Sequence, residues 1–190
     1  MKITLIGPRS VGKSTVSKIL ADKLNLPLLS SDDLMDMALK ETGGLDKTIK
    51  AGNSQAIVEK AIPLMRRLIR EKDFVLDIAG GSISSTKYLE VSKEVKDLLR
   101  NNTMVIGLLP YEDEERSIIH LFDREKHRAH FSSEDPDELL ANVRKSYKKL
   151  LKPMEEICNF IIITKDNSPD QVANEILTRI ESADIKTLHK

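Results

Sequence analysis

The stretch MKITLIGPRSVGKST, residues 1–15, joins a short apolar run to a loop rich in glycine and hydroxyl side chains. Residues 3–6 are largely apolar and β-branched, which is typical of a buried strand. Residues 7–14 fit the pattern G-x-x-x-x-G-K-[ST], and the sequence after them predicts a helix over 13–24. Glycines let a backbone wrap closely around an anion, and a helix N-terminus adds positive potential. This context favours a phosphate-binding loop over a plain strand–helix turn.

The side chains of this loop indicate how a nucleotide would be held. Lys13 can reach the β- and γ-phosphates, Ser14 can bind Mg²⁺, and Thr15 can contact an α-phosphate. Asp77 ends another apolar run and is predicted to support the metal ion beside Ser14; the alternative is an ordinary polar strand end. The predicted nucleotide-binding residues are Gly7, Pro8, Arg9, Ser10, Val11, Gly12, Lys13, Ser14 and Thr15.

Short apolar bursts alternate with longer amphipathic stretches along the chain. The bursts predict five strands, at 3–6, 27–29, 74–78, 104–109 and 160–164. The stretches between them predict helices at 13–24, 32–41, 53–71, 88–101, 137–156 and 168–183, with 49–70 as a long helical insertion. This alternation predicts a three-layer α/β domain whose parallel sheet is buried on both faces.

The composition excludes several classes of protein. A chain of 190 residues is expected to form one domain, and 30 basic residues balance 30 acidic ones, so net charge predicts no nucleic-acid or membrane partner. Cys158 is the single cysteine, which rules out an intrachain disulfide and fits a cytoplasmic location. It is predicted to be buried and inert. The histidines at 120, 127 and 130 lack a metal-ligand spacing.

Four motifs occur in the order that is seen in shikimate kinases, and the chain resembles that family over nearly its whole length. They are the loop at 7–14, LLSSD at 28–32, VLDIAGG at 75–81 and a basic segment at 116–130. The resemblance implies a P-loop NTPase fold with a five-stranded parallel sheet in one domain, 1–190. It also implies a helical substrate-binding region at about 32–71 and a lid at about 113–136. ATP would be the phosphoryl donor, Mg²⁺ the metal ion and a small molecule the acceptor.

The family's acceptor motifs are matched in part. Its Asp-x-Asp motif places the acceptor-binding aspartate on Asp32 and puts Ser30 where the other aspartate is expected. Its glycine turn reads AGG at 79–81, so the resemblance implies that Gly80 and Gly81 approach the acceptor. Independently of the family, a carboxylate after the second strand of an open α/β sheet faces the ligand crevice. Asp32 is therefore predicted to be catalytic. The alternative is that the segment SSDD at 30–33 only caps the N-terminus of the following helix.

Both arginines that bind the substrate carboxylate in the family are missing at the matching positions. Ungapped counting places one on Val58 and the other near Leu150. Because arginine grips a planar carboxylate bidentately, valine cannot replace it. Either the acceptor differs from shikimate or another arginine compensates, the candidates being Arg66, Arg67 and Arg70. The alternative for these three is a solvated helix face.

The basic part of the implied lid offers two further catalytic candidates. Arg124 or Arg128 is predicted to reach over the phosphates, where a cation neutralises charge that develops in the transition state. Lid closure would also exclude water. The alternative is an exposed charged helix and loop whose acidic and basic residues pair at helical spacings.

The sequence thus predicts an ATP-dependent kinase that phosphorylates a hydroxyl of a small molecule. A nucleoside or nucleotide kinase is the first alternative, since Asp77 suits that group. A regulatory P-loop module that binds a nucleotide without an acceptor is the second. The segment TKDN at 164–167 has the wrong order for a guanine-specificity motif, which disfavours a GTPase. The sequence does not predict an oligomeric state.

Overall fold

A five-stranded parallel sheet forms the centre of the computed structural model, which describes residues 1–127 and 135–188. The sheet order is β2-β3-β1-β4-β5. Its strands are β1 (Lys2–Ile6), β2 (Leu28–Ser30), β3 (Phe74–Asp77), β4 (Met104–Leu109) and β5 (Phe160–Ile163). The described helices are α1 (Lys13–Leu24), α2 (Ser31–Ala38), α3 (Leu45–Lys50), α4 (Ser54–Leu68), α5 (Gly81–Ser84), α6 (Leu89–Asn102), α7 (Glu114–Glu125), α8 (Pro136–Ile157) and α9 (Pro169–Leu188).

The apolar runs pair in register because both faces of the central strands are covered. Lys2 of β1 lies opposite Phe74 of β3, and Ile3 lies opposite Met104 of β4. The core side chains of these strands exclude water completely, namely Ile3, Leu5, Ile6, Phe74, Val75, Leu76, Val105, Ile106 and Leu108. Helices α1 and α9 pack on each other, whereas α6 packs on α4 and α8. The predicted three-layer α/β fold with five parallel strands is confirmed.

Parallel pairing brings the carboxyl ends of all five strands to one edge of the sheet. The loop after β1, the start of α2 and the end of β3 therefore lie together. In open α/β sheets this edge is where ligands bind. In the described part of the chain, no helix combines the length and apolar character needed to cross a bilayer.

Several element boundaries differ from the prediction. The region 49–70 is not one continuous helix. Helix α3 ends before Gly52, whose φ of +67° interrupts the helical backbone, and α4 begins at Ser54. Strand β2 lies one residue later than predicted and includes Ser30. Helices α3, α5 and α7 were absent from the predicted set, because two are short and α7 is dense in charge. Ile118 and Leu121 nevertheless bury one face of α7.

Cys158 follows α8 and is half-buried rather than fully buried. Burial raises the pKa of its thiol to about 12. The thiol therefore stays protonated at neutral pH, as expected for an inert cysteine.

Gly7 occupies the tightest backbone contact between the loop and the sheet. A Cβ on Gly7 would stand 2.5 Å from the carbonyl oxygen of Leu108 and 3.1 Å from Cγ1 of Val11. A backbone carbonyl in a buried strand cannot move aside easily, so only glycine fits at this point.

We expect Gly7→Ala to lower the free energy of unfolding by about 1–3 kcal/mol, because the new methyl group overpacks the loop against β4. Gly81→Ala is the matched control, since a Cβ on Gly81 meets nothing within 4 Å. Urea denaturation of both variants measures the difference. Equal stability of the two variants would contradict the close contact at Gly7.

Candidate active site

A cavity of about 950 Å³ opens at the carboxyl edge of the sheet. We call it the loop cavity, because the loop after β1 forms its floor. Seven of the nine predicted nucleotide-binding residues line it: Pro8, Arg9, Ser10, Gly12, Lys13, Ser14 and Thr15. Gly7 and Val11 do not line it, and Val11 packs in the core with 3% exposure. Residues from α2, α3, β3, α5, α7 and α8 complete its wall.

The backbone of the loop leaves room for an anion. Gly12 has a φ of +105°, and no atom lies within 4 Å of the position of an added Cβ. The hydroxyl of Ser10 is buried and has no hydrogen-bond partner among the described residues. Nζ of Lys13 donates to the carbonyl oxygens of Gly7 (3.0 Å) and Pro8 (3.2 Å). An orphaned hydroxyl, an open backbone concavity and an ammonium group fit a phosphate chain.

Two side-chain oxygens that could bind a metal ion lie close together in the loop cavity. Oγ of Ser14 donates to Oδ2 of Asp77 at 2.6 Å. A hydroxyl and a carboxylate are hard ligands that suit Mg²⁺, which usually completes its shell with phosphate oxygens and water. Among the described residues no group of three or more His, Cys, Asp or Glu side chains could hold a metal ion. The pair supplies two ligands, so Mg²⁺ bound here would take the rest of its shell from phosphate oxygens and water.

Asp32 lies in the first turn of α2, and it is not the helix N-cap. The N-cap is Ser30, whose hydroxyl accepts a hydrogen bond from the backbone N–H of Asp33 at 3.3 Å. The carboxylate of Asp32 is thus left to line the loop cavity. Partial burial, and then the negative charge of Asp77, raise the pKa of the Asp32 carboxyl above its usual 3.8. A raised pKa improves a carboxylate as a proton acceptor.

The glycine turn after β3 is held close to both α2 and α8. The backbone N–H of Ala79 donates to Oγ of Ser31 at 2.9 Å. A Cβ on Gly80 would stand 2.9 Å from Cδ2 of Leu150, so these two residues touch at the cavity wall. Gly81 begins α5 and also lines the loop cavity.

Helices α7 and α8 also contribute side chains to the loop cavity. Arg124, in the last turn of α7, lines the loop cavity beside the buried Glu125. Arg128 lies outside the described residues. Sequence reasoning missed Asn142 and Ser146 of α8, which also line the cavity. Their spacing of four residues puts them on one helix face, but the same spacing is common on exposed helices.

A second cavity of about 350 Å³ lies between α2, α4 and α6, and we call it the insertion cavity. Most of its wall is apolar: Met35, Leu45, Ile49, Ile57, Val58, Ala61, Leu64, Met65, Leu68, Ala79, Val91 and Val95. Asp32 is the one charged residue among the described residues that line it. The two cavities share Asp32, Leu45, Ile49, Ala79 and Gly81.

The structure places the candidate compensating arginines away from both cavities. Arg66 donates from Nε to Oε1 of Glu94 at 3.0 Å on an exposed surface. Among the described residues neither Arg67 nor Arg70 lines either cavity. Arg144, near the second expected arginine position, pairs with Glu115.

Comparison with known proteins identifies relatives over most of the chain. The sequence model of the family described as shikimate kinase matches residues 9–181. A shikimate kinase of Alteromonas mediterranea is 28% identical over 179 residues, which cover 94% of this chain and 95% of that protein. One from Aliivibrio fischeri is 27% identical over 180 residues, covering 94% of this chain and 95% of its own length.

Solved structures share the fold. A shikimate kinase from Acinetobacter baumannii, in complex with shikimate, has a TM-score of 0.70 at 23% identity and covers 96% of this chain and 93% of its own. A shikimate kinase from Bacteroides thetaiotaomicron has a TM-score of 0.73 at 16% identity, with coverages of 95% and 98%.

We expect the carboxyl of Asp32 to titrate above pH 3.8 in the nucleotide-free protein, because burial and Asp77 both disfavour its charged form. The free energy of unfolding therefore has its full value, with respect to this group, below the unfolded-state pKa, and it falls as the pH rises through the higher folded-state pKa. Carbon-13 NMR of the side-chain carboxyls, with Asp32→Asn to assign the signal, measures the midpoint. A midpoint at or below pH 3.8 would contradict the proposed effect of burial and of the Asp77 charge on this carboxyl.

Proposed function

Since the chain belongs to the shikimate kinase family and is an ATP-dependent small-molecule kinase, we propose that its acceptor is a small alcohol other than shikimate. The observation that supports an alcohol acceptor is the position of Asp32. Its carboxylate borders both the loop cavity, which suits the phosphates, and the insertion cavity, which suits a second molecule. A hydroxyl held by Asp32 would stand where donor and acceptor meet.

The residues of the loop cavity would each bind a different part of ATP, the phosphoryl donor. Lys13 would bind the β- and γ-phosphates, with the backbone N–H groups around Gly12 turned toward them. Ser14 and Asp77 would hold Mg²⁺, whose charge neutralises the phosphate oxygens when it is bound. Arg124, at the end of α7, would add a cation at the transferring group. Arg128, in the proposed lid at 113–136, is the second candidate for that role.

Asp32 would orient the acceptor and take its proton. The acceptor oxygen forms the new bond to the γ-phosphorus, and the bond between that phosphorus and the β–γ bridging oxygen breaks, releasing ADP. The hydroxyl proton passes to the Asp32 carboxylate as the new bond forms. Because phosphoryl transfer has a loose transition state, placing this oxygen in line matters more than strong basicity. Gly80 and Gly81 would let the acceptor lie against backbone.

Two apolar residues in the cavity walls argue against shikimate as the acceptor. By ungapped counting, one of the family's carboxylate-binding arginines falls on Val58 and the other near Leu150. Val58 lines the insertion cavity and Leu150 lines the loop cavity. A shikimate carboxylate beside them would lose its water without gaining a cation. A nucleotide acceptor would face the same difficulty with its phosphate, since no described lysine or arginine lines the insertion cavity.

We also propose that the protein acts in the cytoplasm and does not bind nucleic acid. The lone cysteine and the equal numbers of acidic and basic residues support this placement.

We expect Asp32→Asn to lower turnover by about 10²–10⁴-fold, because the amide cannot accept the proton of the acceptor. Nucleotide affinity should barely change, and the thermal midpoint should not fall, because Ser30 caps α2 and the substitution removes a charge that burial and Asp77 disfavour. Asp33→Asn is the matched control: it removes a neighbouring charge in the same helical turn and should keep turnover. Steady-state kinetics, nucleotide titration and thermal unfolding measure the three quantities. Wild-type turnover in Asp32→Asn would remove Asp32 from the chemistry.

Shikimate itself should be a poor substrate, or no substrate, for this kinase. The measurement is ADP release with shikimate as the acceptor, beside ADP release without an acceptor. Saturation with a KM between about 1 μM and 1 mM would be ordinary substrate behaviour. That result would show that another group binds the carboxylate.

A further inference from the structure

The insertion cavity has a wall that phosphoryl transfer does not require. Val58, Ala61 and Leu64 of α4 face Val91 and Val95 of α6 across it. A cavity of about 350 Å³ lies within the range of small-molecule sites, about 300–1,000 Å³. Such a wall binds hydrocarbon and rejects an unpaired charge.

Polar groups enter this wall at defined places. Asp32 provides the charged group, next to Ala79 and Gly81. Ser54, the first residue of α4, and Tyr88, just before α6, also line the cavity, and their hydroxyl oxygens lie 2.7 Å apart. Two such hydroxyls can donate to or accept from a neutral polar group.

Lys87 contacts this hydroxyl pair but does not line the insertion cavity. Nζ of Lys87 donates to Oγ of Ser54 at 3.1 Å and lies 5.2 Å from the centre of the Tyr88 ring. Lys87 is exposed and does not line the cavity. An anionic acceptor inside the cavity would therefore meet the carboxylate of Asp32 without a cation on the same wall.

On the basis of the proposed kinase function, we propose that the acceptor is an uncharged alcohol with a compact hydrocarbon body. The body, a single ring or a branched chain, occupies the insertion cavity against Val58 and Val91. One hydroxyl reaches Asp32 and receives the phosphoryl group. A second neutral polar group meets the hydroxyls of Ser54 and Tyr88.

The test compares shikimate with methyl shikimate, which keeps the ring and its hydroxyls but lacks the charge. The third probe is cis-cyclohexane-1,2-diol, which is neutral like methyl shikimate but smaller. Methyl-labelled NMR of the full-length protein with a bound non-hydrolysable ATP analogue follows the signals of Ile57, Val58 and Val91. We expect the neutral probes to shift these signals, and shikimate to require at least a tenfold higher concentration. Equal or tighter binding of shikimate overturns the assignment, and so does the absence of shifts with every neutral probe.

A charge placed in the wall should reverse the preference. Val58→Arg adds a cation to a half-buried position, and we expect it to change the ratio of methyl shikimate to shikimate affinity by at least tenfold toward shikimate. Lys60→Ala, on the exposed face of the same helix, is the matched control and should leave the ratio unchanged. Val58→Thr, nearly isosteric with valine, adds only a hydroxyl and keeps the test valid where Val58→Arg does not fold. It should weaken the diol without favouring shikimate, and unchanged diol binding in Val58→Thr overturns the assignment.

Acceptor-dependent ADP release separates this inference from the kinase function beneath it. Release with shikimate in preference to its ester leaves the kinase function standing and overturns only the neutral acceptor. No release with any alcohol, while ATP binds and the methyl signals shift, overturns the kinase function and the acceptor role with it. Release with the neutral probes and not with shikimate supports both.

Discussion

The contact between Gly7 and the carbonyl oxygen of Leu108 sets the position of the site. Because no side chain separates the loop from β4, the backbone that follows β1 turns directly over the edge of the sheet. Helix α1 then starts at Lys13, with its N-terminus directed at the loop cavity. Ser14 comes within hydrogen-bond distance of Asp77 because β1 and β3 are neighbours, so that the start of α1 lies beside the end of β3. The close contact with β4 and the pairing with β3 thus place the phosphate loop and the two oxygen ligands together.

Much of the fold could be predicted from the sequence because buried parallel strands leave a strong pattern. The runs at β1, β3, β4 and β5 are almost continuously apolar, and each lies in the predicted place. The start of α7 was harder to see, since Asp113, Glu114 and Glu115 conceal the buried face of that helix. The break at Gly52 depends on a positive φ, which local sequence favours but does not require.

The candidate site could be predicted in chemistry but not in shape. The pattern at 7–14 was enough to choose the loop residues, while the role of Ser30 as N-cap required the structure, because Ser30, Ser31 and Asp32 are all good capping residues. Ungapped counting against the family pattern predicted Val58 at a position where an arginine is expected. That this position lines a separate apolar cavity could not be predicted, since the cavity is formed by α4 and α6 from distant parts of the chain.

Helix α3 gives the two cavities a common wall. Leu45 and Ile49 line both, and the helix is tied to α2 by a hydrogen bond from the backbone N–H of Leu45 to Oδ1 of Asp36, at 2.7 Å. A ligand in one cavity that displaced α3 would therefore change the surface that a ligand in the other cavity meets. Thermodynamic linkage requires the effect to be reciprocal: nucleotide changes acceptor affinity by the same factor by which acceptor changes nucleotide affinity. The six residues of α3 would be one route for such coupling, beside the shared residues Asp32, Ala79 and Gly81.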